Sequence, residues 1–97
     1  MAASWDDISS WFDAGVTQGA SHMIVVCDTF EYEDYPVYVR PESTSDARKV
    51  AEEHSKNMQR VMECYVLDPS RKQAQLSERR AHHYEPYTPS PTPPPQR

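Results

Sequence analysis

Glycine is nearly missing from this chain of 97 residues, with Gly15 and Gly19 the only two. Neither sits in a glycine-rich phosphate loop, so P-loop and dinucleotide fingerprints are excluded. Long apolar runs are missing as well. The longest, Met23 to Cys27, is far short of the ~20 residues that cross a bilayer. The amino-terminal stretch carries acids where a secretory signal needs Lys or Arg, so a soluble, non-secreted protein with no membrane partner is expected. Only two cysteines are present, Cys27 and Cys64. Neither belongs to a CxxC or His/Cys pair with zinc spacing, and both lie among apolar neighbours, where a thiol serves as a small hydrophobe.

Basic residues are withheld from one half of the chain. Residues 1 to 39 contain no Lys or Arg against seven acids, Asp6, Asp7, Asp13, Asp28, Glu31, Glu33 and Asp34. The whole chain carries a formal charge of −5. Such a half repels phosphate, which argues against direct nucleic-acid binding and favours a partner with a basic surface. The plainer role for the same acids is solvation of one face of a small domain.

Apolar residues Trp5, Ile8, Trp11, Phe12 and Val16 recur at helical spacing behind Ser4, a helix cap with Asp7 in the first turn. They predict a helix over 5–18 that ends at Gly19, with Gly15 allowing a close approach to a sheet. The unalternating run HMIVVCDTF over 22–30 reads as a strand covered on both faces. After an acidic loop at 31–35, Pro36 opens a second strand, VYVR. A helix is expected over 46–55 behind Ser45, ended by Asn57. MQRVMECYVL at 58–67 fits both periods, because Met58, Val61, Met62 and Tyr65 have helical spacing while Val61, Tyr65 and Leu67 alternate with polar residues. We read it as a strand. Asp68 and Pro69 open a last, polar helix to about Ala81, with Ala74, Leu76 and Ala81 as its apolar content.

The expected fold is α+β, in the order α-β-β-α-β-α, with a three-stranded sheet of order 2-1-3 reached by a right-handed crossover. Residues 1–83 form the single domain. From Tyr84 to Arg97 six of 14 residues are proline, so 84–97 is expected to be a disordered tail that adds nothing to the core. Its PxxP spacings fit an aromatic groove, and a solvated spacer is the simpler role.

Three blocks, Gly19-Ala-Ser-His-Met-Ile-Val-Val-Cys-Asp-Thr-Phe, Glu33-Asp-Tyr-Pro-Val-Tyr-Val39 and Asn57-Met-Gln-Arg-Val-Met-Glu63, resemble small proteins encoded by tailed bacteriophages, particularly those of actinobacteria, and by related prophages. The resemblance covers roughly residues 11 to 83. It implies a viral origin and expression in a bacterial cytoplasm, favours the strand at 58–67, and brings no catalytic residues with it.

Chemistry-bearing constellations are sparse. Asp28, Glu31, Glu33 and Asp34 are hard oxygen donors near a strand end, yet their spacing matches no ion-binding loop, and no metal or other cofactor is expected. Glu63 would approach Asp28 if the third strand pairs with the first, giving a general acid/base candidate for a small metal-dependent or ligand-binding enzyme. His22 and Cys27, five apart on a strand, fall on opposite faces, and the adjacent His82 and His83 read as surface residues. Trp5 and Trp11 stand about 240° apart around a helix, so both cannot enter one core, and Trp5 is the one expected to be exposed. The favoured function is therefore non-enzymatic: a phage-encoded interaction module binding a host or viral protein, as a counter-defence or host-takeover factor. Its candidate contact residues are Trp5, Glu31, Tyr32, Glu33, Asp34 and Tyr35, aromatics and acids of the kind that dominate binding hot spots and attract basic partners. A homo-oligomeric structural protein, pairing through the hairpin edge at 36–40, is the third reading.

Overall fold

The computed structural model describes residues 4–41, 46–56, 58–78 and 80–89. Its first element, α1 (Trp5–Gln18), begins with a capping box in which Asp7 N–H donates to Ser4 Oγ (3.1 Å) and Ser4 N–H donates to the Asp7 carboxylate (3.2 Å). It stops at Gly19, whose φ of 78° is the left-handed conformation that glycine adopts without a Cβ penalty. β1 (His22–Asp28) follows, then β2 (Glu33–Val39), α2 (Ala47–Glu53), β3 (Gln59–Val66), a 3₁₀ turn over Pro69–Arg71, and α3 (Lys72–Leu76). The sheet has the order β2-β1-β3, and β1 is antiparallel to both neighbours. This is the expected α+β fold and strand order.

Alternation along the strands assigns two covers. Met23 and Val25 of β1 and Tyr65 of β3 face α1 with Ile8 and Phe12, joined by Leu67 and Ala81. Ile24, Val26, Val39 and Cys64 face α2 with Ala47 and Ala51. Met23 to Val26 are all fully buried, which explains why β1 shows no polar alternation. Gly15 lets α1 sit close to the sheet: a Cβ there would lie 2.6 Å from Leu67 Cδ1 and 2.7 Å from the Tyr38 ring. That ring is held in place because Tyr38 Oη donates to the Trp11 carbonyl at 2.8 Å. In β3 the register shifts by one residue between the partners of Val25 and Val26, a β-bulge.

Several expected boundaries are corrected. β1 ends at Asp28, not 30, because the Asp28 carboxylate turns back to cap the next residues. β2 starts at Glu33 rather than at Pro36, so Glu33, Asp34 and Tyr35 belong to a strand and the loop is shorter than 31–35. α2 is capped by Asp46, which accepts Lys49 N–H at 2.9 Å; the expected cap Ser45 and terminator Asn57 lie outside the described residues. The last helix ends at Leu76, not near Ala81. Too little apolar surface holds a longer helix there, whereas Ala81 is fully buried on the sheet. The buried side chain of α3 is Gln75, which binds both the N–H and the C=O of Val66 (2.9 and 2.8 Å).

Residues 81–83 close the outer edge of β3. Cys64 N–H donates to Ala81 O (2.8 Å), His83 N–H donates to Cys64 O (3.0 Å), and Cys64 with His82 forms a parallel bridge. The chain from Tyr84 does not leave the domain at once. Tyr84 packs against the α2-side core, and the Glu85 carbonyl accepts from His22 Nε2 at 2.7 Å, which corrects the expectation that a tail from 84 adds nothing to the core. Residues 90–97 lie outside the described residues.

The other sheet edge is β2. Because Cys64 directs its backbone groups outward, alternation turns Tyr65 and Glu63 toward their partners Met23 and Val25 in β1. Val25 is thus engaged on that side, so the backbone of Pro36, opposite it in β2, points away from β1. A proline there removes a donor from the middle of the free edge and blunts pairing between copies.

Candidate functional site

The acidic, aromatic sequence around residue 31 folds into the turn that joins β1 to β2. Asp28 and Glu33 are the last paired residues, leaving a four-residue connection. Asp28 organises it: its Oδ1 accepts Phe30 N–H at 2.9 Å and Glu31 N–H at 3.4 Å, and its carbonyl accepts Tyr32 N–H at 2.6 Å. Tyr32 closes the turn with a φ of 58°. That left-handed conformation favours Gly or Asn, and a bulky side chain there carries strain.

A second loop is tied to this turn. Thr29 donates through both its N–H and its Oγ1 to the Met58 carbonyl, each at 2.8 Å, and Met58 is also left-handed, with a φ of 67°. The result is an apolar display at one end of the sheet. Phe30 is 68% exposed, Tyr32 69% and Met58 58%, among large hydrophobics that are otherwise mostly buried. Glu31 and Glu33 stand exposed beside them.

The candidate contact residues therefore separate. Glu31 and Tyr32 stand on the turn with Glu33 next to them as the first residue of β2, whereas Asp34 and Tyr35 lie on opposite faces of β2 and are half-buried. Tyr35 packs on the α2 side and its Oη accepts from Gln59 Nε2 at 2.6 Å. Asp34 faces Cys27 across the strand pair, where burial and then its carboxylate push the Cys27 thiol up. Trp5 is on another element, at the start of α1, and is 55% exposed, while Trp11 packs against the core. Phe30 and Met58 were not among the expected contacts. Phe30 reads as the end of an apolar strand, and Met58 as part of an apolar spacing with Val61, Met62 and Tyr65; only their left-handed or turn backbones turn them outward.

The acid/base candidate does not form. Glu63 pairs with Val25, three positions from Asp28, and the alternation of β1 puts those two positions on opposite faces of the sheet. Burial, with Asp34 nearby, instead raises the Glu63 carboxyl on the α1 side. Among the described residues no group of three or more His, Cys, Asp or Glu side chains is arranged to hold a metal ion. The Cys64 thiol is pushed up to about 12 by burial and donates to the His83 carbonyl, so it is no nucleophile at neutral pH. No helix of the described residues is long and apolar enough to cross a membrane. Comparison of the chain with protein-family models, with curated proteins and with solved structures returns no match.

Proposed function

We propose that this chain is a non-enzymatic interaction module that binds another protein through the β1–β2 turn and the adjoining Met58 loop. The observation that carries this reading is the exposure of Phe30, Tyr32 and Met58 together at one end of a domain whose other large apolar side chains are mostly covered. Holding Tyr32 outward requires a left-handed backbone, a local cost that a purely structural turn avoids with glycine. Glu31 and Glu33 beside the apolar groups favour a partner whose contact surface is basic around an apolar centre. In keeping with the resemblance to phage proteins, the partner would be a host or viral protein met in a bacterial cytoplasm, with counter-defence or host takeover as the biological setting. Homo-oligomer formation through the hairpin edge has less support, because Pro36 interrupts that edge.

The test is capture from host lysate with the wild-type chain and two variants, followed by calorimetry with the purified catch. Tyr32→Ser is expected to weaken binding by more than about tenfold, as loss of an aromatic anchor does. Glu31→Lys with Glu33→Lys is expected to weaken it most at low salt. Equal binding by all three chains would overturn the assignment of this surface.

A further inference from the structure

At the opposite end of the sheet a cleft of about 560 Å³ opens between the end of the hairpin, the start of α2 and the 82–88 segment. Pockets of ~300–1,000 Å³ commonly accept small molecules. Its wall carries four formally charged side chains, and they are not equivalent. The two acids already have partners within the domain: Asp46 caps α2, and Glu85 is bound to Arg71 at 2.7 Å. Its own backbone N–H, and then Arg71, hold the Glu85 carboxyl below the usual carboxylate range.

The two cations differ. Among the described residues neither Arg40 nor Arg48 is in an ion pair. Arg40 donates to the Gln18 carbonyl at 2.9 Å, and the Arg48 guanidinium lies 4.6 Å from the centroid of the Tyr84 ring. Stacking on a ring restrains a guanidinium while leaving its in-plane N–H groups for a carboxylate or phosphate. The four formal charges of the wall balance, but with Asp46 at its helix cap and Glu85 paired to Arg71, Arg40 and Arg48 are the charged groups left to meet a ligand. Its remaining lining includes Val39, Pro86 and the half-buried Tyr87, an apolar and aromatic wall.

The floor is fixed. His22 is buried, with Nε2 donating to Glu85 O and Nδ1 2.9 Å from Ser21 Oγ. The first of these bonds ties the 82–88 segment to the start of β1.

From this arrangement we infer that the cleft binds a small planar anion, an aromatic ring bearing one carboxylate or phosphate group, with Arg40 and Arg48 taking the charge and Tyr87 lying along the ring. The site is independent of the turn surface at the other end. It is tested with the full-length ¹⁵N-labelled chain titrated with phenyl phosphate, benzoate and inorganic phosphate. Phenyl phosphate or benzoate is expected to shift the amides of Ala47, Arg48 and Tyr84 saturably, and to bind at least about tenfold more tightly than inorganic phosphate, which offers no ring. Arg40→Gln and Arg48→Gln alter exposed side chains, so the fold is retained. Each is expected to weaken binding by about tenfold, the loss that follows removal of one charge-assisted hydrogen bond. Preference between the two ring probes identifies the anionic group. Absence of saturable shifts with either ring probe, shifts that persist when both arginines are replaced, or equal affinity for inorganic phosphate would overturn the inference.

Discussion

The two ends of β1 solve opposite problems. At its start, His22 and Ser21 are buried polar side chains with near partners: Ser21 Oγ lies 2.9 Å from His22 Nδ1 and 3.2 Å from Val39 O, either of which can take its one proton, and His22 Nε2 donates to Glu85 O. At its finish, Asp28 satisfies turn amides while Phe30 and Tyr32 are left in water and Tyr32 sits in a disfavoured conformation. One end spends its polar groups on cohesion, and the other holds apolar groups away from it. Stability and recognition are therefore expected to respond to different substitutions.

The sharpest way to break this contrast is to truncate the cohesive end. His22→Ala leaves the Glu85 carbonyl and Ser21 hydroxyl without their shared partner and opens a void beside α2, so unfolding stability should fall by about 3 kcal/mol in denaturant titration. Binding through the turn, measured where the variant is still folded, should be unchanged. Loss of binding in step with His22 would show that the two ends are coupled.

A smaller effect of opposite sign is expected at the turn. Tyr32→Gly removes the left-handed strain, at φ 58°, in exchange for the backbone entropy of glycine, and should raise stability by about 0.5–1 kcal/mol while weakening partner binding. A decrease in stability would mean that the Tyr32 ring serves the fold and not a partner.

The smallest expected effect is in pH dependence. Burial lowers the His22 pKa below 6.5, so the folded state favours the neutral ring. Between the folded pKa and 6.5 the unfolded chain binds the extra proton, so the contribution of His22 is complete above 6.5 and is lost as pH falls through the folded value. Glu63 runs the other way. Its pKa is raised above 4.5, so its contribution is present below 4.5 and lost as pH rises through the folded value. The measurement is thus the difference between wild type and His22→Gln: stability should fall more steeply on acidification from neutral pH in the wild type. Parallel curves would show that His22 is not the buried group that titrates.

Local signals account for most of what was legible in advance. Ser4 and Asp7 form the predicted cap, Gly19 the predicted stop, and β1 is buried on both faces as its composition requires. Trp5 is the exposed tryptophan because a six-residue helical offset cannot place two side chains in one core. The turn was found but mis-sized, since Glu33 and Asp34 are poor strand formers by composition and enter β2 only through pairing with Asp28 and Cys27. The outward position of Met58 is not legible in the sequence because a left-handed residue bound to Thr29 leaves no mark in apolar spacing.

The first helix with its cap and stop, the central position of β1 and the acidic character of the first half were determined by the sequence alone, because caps, apolar runs and charge act over a few residues and need no partner, whereas the spacing over 58–67 fits a helix as well as the strand found there. Tertiary structure decided that Ala81 and Tyr84 return to the sheet, that Arg40, Arg48 and Tyr87 come to line one cleft, and that Asp28 and Glu63 part to opposite faces. These outcomes depend on register, on a one-residue bulge and on an edge strand seeking hydrogen bonds. Each is settled by pairing between distant residues, where a shift of one position moves a side chain to the other side of the sheet.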